Sequence, residues 1–395
     1  MGVDNILNIY GDMHIHIGRA AGKAVKITAS SQLQLKSIIY RDAPRKGLEM
    51  VGVVDAGTLP VAQELEEMLQ TGELRELRAG GFLARNGVLL IAACELESIE
   101  GVHWIIYLPA WEKLREYQRF IRSRVSNMQL STQKVRISAK ELVNMTCILE
   151  GILCPAHAFT PHKGIYGFWT DSLKKALGSD YRQIRVIELG LSSDSDMAAT
   201  IDETRAFTFL TNSDAHSPDN IGREFNRFRL KNKNFLEFKY CLENAQGRRI
   251  MANFGLDPRL GKYHRSYCIS CSTISTEAPP VSHCYKCGSD KMVMGVYDRI
   301  AAIQDRKEPG HMIGRPPYYY RVPIKQLPGV GPKTYEKMLN YFGSEINIME
   351  EAAQSDLARI AGEQIADMIV KMRTGRLPII PGGGGHYGKV QKNSG

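Results

Sequence analysis

The sequence predicts an α/β fold with a parallel sheet, open or closed into a barrel. Two observations predict it. Short apolar strands recur along the first 215 residues, each ending in polar or charged residues, and helical patterns alternate with them. A third observation adds separate modules: beyond residue 250 the alternation gives way to two Cys-x-x-Cys pairs and then a Gly-Val-Gly turn.

The first strand is "IYGDMHIHIG", residues 9–18. As a strand it points Asp12, His14 and His16 to one face, because side chains alternate with period two. Later strands follow the same plan. "EMVGVVDAG" ends at Asp55, "GVLLIAACELE" at Glu95 and Glu97, and "GILCPAHAF" at His157. "VHWIIYLPA" carries His103 at its start, "IRVIELGLSSD" carries Glu188, and "AFTFLTNSDAH" ends with Asp214 and His216. Helices are expected in "VAQELEEMLQTGELREL" and "SAKELVNMTCIL".

In βα barrels functional groups gather at the C-terminal ends of the strands, which is where most of these residues fall. Five of the ten histidines belong to the set. Buried carboxylates and imidazoles carry a desolvation cost that a divalent cation offsets. A mixed imidazole and carboxylate set suits zinc, manganese or iron better than magnesium or calcium. The candidates outnumber the ligands of one tetrahedral ion and point to two or three ions, zinc or manganese.

Composition bounds the rest. The 395 residues allow two or three domains, with apolar and charged fractions of a globular protein. No run reaches membrane-span length, and no basic segment followed by an apolar one marks a signal peptide, so a cytoplasmic protein is expected. The net charge of +9 suits a polyanionic partner.

Cys268, Cys271, Cys284 and Cys287 form Cys-x2-Cys-x12-Cys-x2-Cys, the spacing of one closed structural zinc site. Cys94, Cys147, Cys154 and Cys241 lie in apolar or helical contexts and read as buried thiols. A basic run precedes the module, including Arg223, Arg227, Arg259 and Lys262, with Phe225, Phe228, Tyr263 and Tyr267 interleaved. It reads as a groove that tracks phosphates. "QLPGVGPKTYEKMLNYFGS" reads as a helix-hairpin-helix that binds DNA backbone through hairpin amides. There Gly329 and Gly331 allow close approach, while Lys333 and Thr334 add contacts. "DLARIAGEQIADMIVKMRTG" reads as a second unit that pairs structurally with the first.

The motifs Asp-x-His-x-His, "PAH" and "NSDAH" resemble the polymerase-and-histidinol-phosphatase (PHP) superfamily of metal-dependent phosphoesterases. "AHAFTPH", "ELGLSSDS", "NSDAHSP", "GREFNRF" and "GLDPRLGKYH" resemble its endonuclease Q branch, over residues 1 to about 300. The resemblance implies a distorted (β/α)7 barrel with a cluster of up to three ions. It implies nicking of DNA on the 5′ side of deaminated bases (uracil, hypoxanthine, xanthine) and of abasic sites. The ligands it implies are His14, His16, Asp55, Glu95, His103, His157, Glu188, Asp214 and His216. Asp214, His216 and a phosphate-reaching Lys23 would carry catalysis.

One position departs from the pattern: Ala56 stands where the superfamily's second motif has His. Either Asp55 ligates directly or one site is short of a ligand. The damaged base is expected near "FTPHKGIYGFW", on Phe159, Tyr166, Phe168 and Trp169. The expected organisation is a PHP barrel over 1–250, a four-cysteine zinc module over 251–300, a linker over 301–322, a helix-hairpin-helix segment over 323–376 and a flexible tail over 377–395. Two other readings stay open: a small-molecule phosphatase acting on a substrate like histidinol phosphate, and a DNA-binding scaffold without catalysis.

Overall fold

The computed structural model describes residues 6–310, 312 and 314–391. Strand β1 (Leu7–Ile15) runs parallel to β2 (Met50–Val53), which runs parallel to β3 (Leu89–Glu97). The parallel run then stops. β4 (His103–Leu108) returns antiparallel to β3, and β5 (Ile152–Pro155) lies antiparallel to β4. β6 (Val186–Glu188) and β7 (Thr208–Leu210) form a parallel pair. On the other side of β1, β8 (Phe225–Leu230) and β9 (Arg249–Gly255) add antiparallel neighbours. The sheet is therefore mixed, and the expected uniform series of parallel βα units is interrupted at β4. A connection of only five residues between β3 and β4 leaves no room for a crossover helix, so the chain turns back as a hairpin.

That reversal explains His103. It starts its strand, yet it pairs with Glu97 at the end of β3, so both reach the same edge of the sheet. Ile9 and Met13 of β1, Ile91 of β3, Ile105 and Tyr107 of β4, and Phe228 of β8 share one buried cluster. Alternate residues such as Val51, Leu90 and Ile106 join a second cluster with the helices, as period two requires, and Ile15 joins them because the register of β1 against β2 shifts between Asp12 and Ile15.

Helix α1 spans Leu59–Gln70. It is shorter than the expected pattern, because Gly72 adopts φ +67° and Leu74–Glu76 goes into a strand paired with Phe82–Ala84. Helix α2 spans Trp111–Ile121. Helix α3, Ala139–Ile148, opens on a capping box: Glu141 N–H donates to Ser138 Oγ at 3.3 Å, and Ser138 N–H donates to the Glu141 carboxylate at 2.8 Å. Cys94, Cys154 and Cys241 are buried as expected, whereas Cys147 is exposed on α3.

The C-terminal third is knit into the sheet. Tyr318–Tyr320, inside the expected linker, forms β10 and runs parallel to β9. Side-chain volume drives this: Tyr318 is half-buried against the main core, and Phe254 of β9 packs against Tyr319 at 5.4 Å. Helices Pro332–Phe342, Gln354–Ala361 and Glu363–Arg373 follow. The expected first helix before the Gly-Val-Gly turn is only a 3-10 turn, Ile324–Gln326. The second unit has helices on both sides of Gly362.

The expected flexible tail is folded as far as residue 391. Ile379–Ile380 pairs antiparallel with Lys389–Val390. Its glycines explain the packing: a Cβ on Gly384 would fall 2.8 Å from the Tyr267 ring, and one on Gly383 would fall 2.8 Å from Ile274. Only glycine lets this loop lie against the cysteine module. Residues 392–395 of that expected tail lie outside the described residues. Among the described residues, no helix is long and apolar enough to cross a membrane.

Candidate metal centre and cleft

β1 and the residue that follows it deliver two imidazoles whose outer nitrogens are already held. Nδ1 of His14 lies 3.0 Å from Glu188 Oε2, and Nδ1 of His16 lies 3.0 Å from Asp55 Oδ1. Each carboxylate fixes a ring so that Nε2 points inward. Both Nε2 atoms are fully buried with no hydrogen-bond partner. They face carboxylate oxygens slightly beyond bonding range. His14 Nε2 is 3.6 Å from Glu95 Oε1 and 3.4 Å from Asp214 Oδ1. His16 Nε2 is 3.4 Å from Glu95 Oε2 and from Asp214 Oδ1. Orphaned buried nitrogens among carboxylates at such separations fit a cation between them.

Glu95 continues the cluster. Its Oε1 lies 3.2 Å from His103 Nδ1 and 3.7 Å from His157 Nε2. Three groups of donors close enough to hold an ion result: His14, His16 and Glu95; Glu95, His103 and His157; His16, Asp214 and His216. His157 and Asp214 hold φ of +31° and +46°, and such backbone costs about 1–3 kcal/mol each. Backbone of this kind clusters at active sites and ligand clamps.

Asp55 and Glu188 come to the centre as supports. The Asp55 oxygens are taken up by His16, by Ile17 N–H at 2.6 Å and by the Ser131 hydroxyl. Glu188 accepts from His157 N–H at 3.1 Å and Asn212 Nδ2 at 2.9 Å. Ala56 is buried in the core. Asp12, expected on the histidine face, instead accepts Ser213 N–H at 3.1 Å and Gly222 N–H at 2.9 Å, tying down the loop that carries Asp214. Burial pushes the Asp12 carboxyl up to about 6, against those hydrogen bonds. Burial also works against charge on His14, but Glu188, Asp214 and Glu95 outweigh it and push the imidazole up to about 10. Without a metal the pocket holds a proton there, so it selects positive charge.

The lysine at the centre is Lys26. Its Nζ lies 3.3 Å from Glu95 Oε2 and 2.5 Å from Thr132 Oγ1, which itself donates to Glu95 Oε2 at 2.6 Å. Lys23 is exposed on the Arg19–Ala20/Lys23–Ala24 hairpin. That turn is short enough to place the second lysine, three residues later, over the site.

The centre forms the floor of a cleft of about 580 Å³. Its rim carries His162, Lys163, Lys262, Tyr263 and, from the tail hairpin, Tyr387. Lys262 Nζ sits 5.0 Å from the Tyr263 ring and 5.7 Å from the Tyr387 ring. The four aromatics expected to hold a base do not line this cleft. Phe159 and Tyr166 stack on each other in the core, Trp169 packs against Trp104, and Phe168 stands exposed near Gly101. The loop after His157 carries all four, but packing takes Phe159, Tyr166 and Trp169, and Phe168 is exposed outside the cleft lining.

The four module cysteines converge, with Sγ atoms 3.6 Å apart for Cys268–Cys287 and for Cys271–Cys284. A tetrahedron with Zn–S bonds of about 2.3 Å has edges of about 3.8 Å, so the cage fits zinc.

No family model matches the sequence. The chain is 38% identical over 391 residues to the uncharacterized protein YqxK of Bacillus subtilis (strain 168), covering 97% of this chain and 99% of that one. Among solved structures it is similar to the lesion-specific endonuclease PfuEndoQ of Pyrococcus furiosus, with a TM-score of 0.85 and 33% identity over 98% of this chain and 96% of that one. It is equally similar to an endonuclease Q solved with a 27-mer duplex carrying an abasic lesion at the active site, with a TM-score of 0.84 and 34% identity over 98% and 97% of the two chains. The chain belongs to the endonuclease Q family.

In this family member the expected DNA-facing residues fall into three places. Lys262 lines the cleft, whereas Arg223 is buried behind it: its Nε donates to Ser213 O at 2.8 Å, and its guanidinium lies 5.7 Å from the Tyr387 ring. Arg227 lies over Tyr10 at 5.8 Å, and Arg259 is exposed and paired with Asp257 at 2.6 Å. Gly329, Gly331 and Lys333 are exposed at the Gly-Val-Gly turn, with Thr334 half-buried and Gly329 at φ +85°. Sequence reading missed the second partners Ser131 and Thr132, and it missed Tyr387. The only signal for Tyr387 was an aromatic residue within a glycine tract.

Proposed function

We propose that this chain is a metal-dependent DNA-repair endonuclease that nicks the phosphodiester bond 5′ of deaminated bases (uracil, hypoxanthine, xanthine) and of abasic sites. The observation that carries the reading is the pair of buried, unpaired Nε2 atoms of His14 and His16 facing Glu95 and Asp214 at the floor of a basic, aromatic-rimmed cleft. His14, His16, Glu95 and Asp214, with His103 and His157, would hold divalent ions, which supply activated water and neutralise phosphoryl charge when bound. Asp55 and Glu188 keep the histidine rings in the orientation that leaves Nε2 free. Lys262 holds the DNA backbone at the rim by charge. A base turned out of the stack enters between Tyr263, His162 and Tyr387, where aromatic faces take its ring and polar groups read its edge.

The test is incubation with uracil-, hypoxanthine- and abasic-site duplexes, with undamaged duplex, and with a phosphomonoester, each with manganese and with chelator. Nicking of the damaged strands alone, abolished by chelator, is expected. Turnover of the phosphomonoester without nicking would make the chain a small-molecule phosphatase. Tight DNA binding without turnover would make it a scaffold.

A further inference from the structure

The opposite end of the sheet carries a second basic cavity. Asn8 of β1 pairs with Arg229 of β8, whereas His14 lies further along β1. At about 3.3 Å per residue, the pair stands about 20 Å from His14 along the strand. Here a cavity of about 510 Å³ is lined by Arg205, Phe209, Arg229, Arg248, Arg249 and Arg315. Among the described residues no carboxylate lines it.

The five guanidiniums are not equal. Glu237 holds Arg248 through two bonds of 2.9 Å, and Arg205 lies 3.7 Å from Asp202. Arg229, Arg249 and Arg315 make no ion pair among the described residues. Arg249 Nε meets Met251 Sδ at 3.3 Å, and Arg315 donates to Thr204 O at 3.3 Å. Nε of Arg229 and Nε of Arg315 are buried with no hydrogen-bond partner. Arg229 and Arg249 sit directly opposite each other on β8 and β9, where like charges repel. Burial pulls the Arg315 guanidinium down to about 10, with Asp196 acting the other way and Arg205 adding repulsion. The Phe209 ring, 3.7 Å away, fixes its position. Unpaired buried donors and a like-charged cross-strand pair both destabilise a fold. An anion in the cavity removes both costs.

We infer that this cavity is a binding site for a diphosphate group, free or carried by a nucleoside. A phosphate monoester carries a charge of about −1.5 to −2, so three unpaired guanidiniums match two phosphates better than one. Guanidinium suits this ligand because its planar fork gives parallel N–H bonds to phosphate oxygens. A cavity of 510 Å³ is about 8 Å across, narrower than the major groove alone of a duplex at about 12 Å. The site therefore takes a small molecule rather than the DNA backbone.

The test is calorimetric titration of full-length Asp214→Ala with inorganic pyrophosphate, which separates this cavity from the barrel ions. One equivalent is expected to bind. Adding Arg229→Gln and Arg249→Gln is expected to weaken it by about tenfold or more. Without ligand, that variant is expected to melt above its parent, because the repulsion across the strands is gone. No binding to Asp214→Ala, or full affinity in the arginine variant, overturns the inference. Arg315→Lys, which keeps the charge and loses the fork, gives a second reading if the first variant does not fold. It is expected to weaken pyrophosphate several fold, and unchanged affinity overturns the inference. ADP is expected to displace pyrophosphate and undamaged duplex to leave it bound. Displacement by duplex would give the cavity to DNA phosphates and overturn the small-molecule assignment.

Discussion

Lys46 and Glu345, 299 residues apart in sequence, meet at 2.6 Å with both side chains buried. Glu345 also accepts from Tyr335 OH at 2.8 Å and from Ile324 N–H at 2.9 Å, and Lys46 donates to Asp219 O at 3.0 Å. The C-terminal helices are thus bolted to the loop that follows Asp214 and His216. Glu345→Ala leaves a buried ammonium without its partner and is expected to cost about 3–5 kcal/mol in urea unfolding. Lys46→Met with Glu345→Leu is expected to recover most of it. Deleting residues 318–395 removes β10 as well, so it should unfold the protein rather than yield a trimmed nuclease. A cooperative melt at the wild-type temperature in the deletion would refute this.

Asp214→Ala is expected to abolish nicking while leaving DNA affinity within a few fold. The carboxylate faces both buried Nε2 atoms, whereas the rim proposed to meet DNA is carried by Lys262, Tyr263 and Tyr387. Gel-shift and nicking assays on one abasic duplex check both halves. Metal affinity should also fall as pH falls, because ions must displace the proton that His14 holds up to about 10.

Cys284→Ser is expected to release about one zinc per chain and to loosen the region after residue 260, since a closed thiolate site supplies folding energy. Unchanged zinc content would show that the cage is not a ligand set. Tyr267 and Ile274, which seat the tail glycines, lie in this module, so hydrogen exchange of residues 379–390 should rise with it.

Glu224 makes stability fall as pH rises. Burial pushes its carboxyl up to about 8, with Arg223 pulling the other way, and its Oε2 is buried without a partner. The folded state holds this proton between the ordinary 4.5 and about 8, so folding takes up a proton in that window. Stability from this group is present below 4.5 and is lost as pH rises to 8. Glu224→Gln keeps an acceptor for Leu256 N–H, which donates at 2.8 Å, and does not titrate. It is expected to gain about 2–4 kcal/mol over wild type at pH 9 and almost nothing at pH 4. Parallel denaturation curves at the two pH values check the sign.

Lys333→Ala is expected to reduce the slope of log affinity against log salt by about one, with equal losses on damaged and undamaged duplex. An unchanged slope would mean that the Gly-Val-Gly turn does not touch phosphate.

How legible was this in the sequence? His14, His16, Glu95 and Asp214 were readable because strand period and strand ends are local properties. His103 was readable as a residue type, but its place depends on a hairpin where a crossover was expected. Asp55 was readable as polar and buried; which atom it serves depends on Ser131, far along the chain. Lys23 and Lys26 differ by three positions in a two-stranded turn, and only backbone hydrogen bonding decides which one looks inward. Phe159 and Tyr166 were drawn into the core by bulk, a tertiary effect with no local signature. Tyr387 was hidden because a glycine tract reads as freedom when no partner surface is known.

The tail hairpin has a consequence for the order in which the enzyme comes into being. Synthesis runs from the first strand onward, so His14 and Asp214 emerge long before Tyr387. The candidate ligands, residues 14 to 216, are therefore all in the chain before the segment that forms one side of the cleft exists. The rim is completed late, when the glycine loop settles against the cysteine module and Tyr387 comes beside Lys262. Because β10 and the C-terminal helices must dock first, the whole cleft closes only once synthesis is nearly over, through a stretch of sequence that offers no candidate ligand at all.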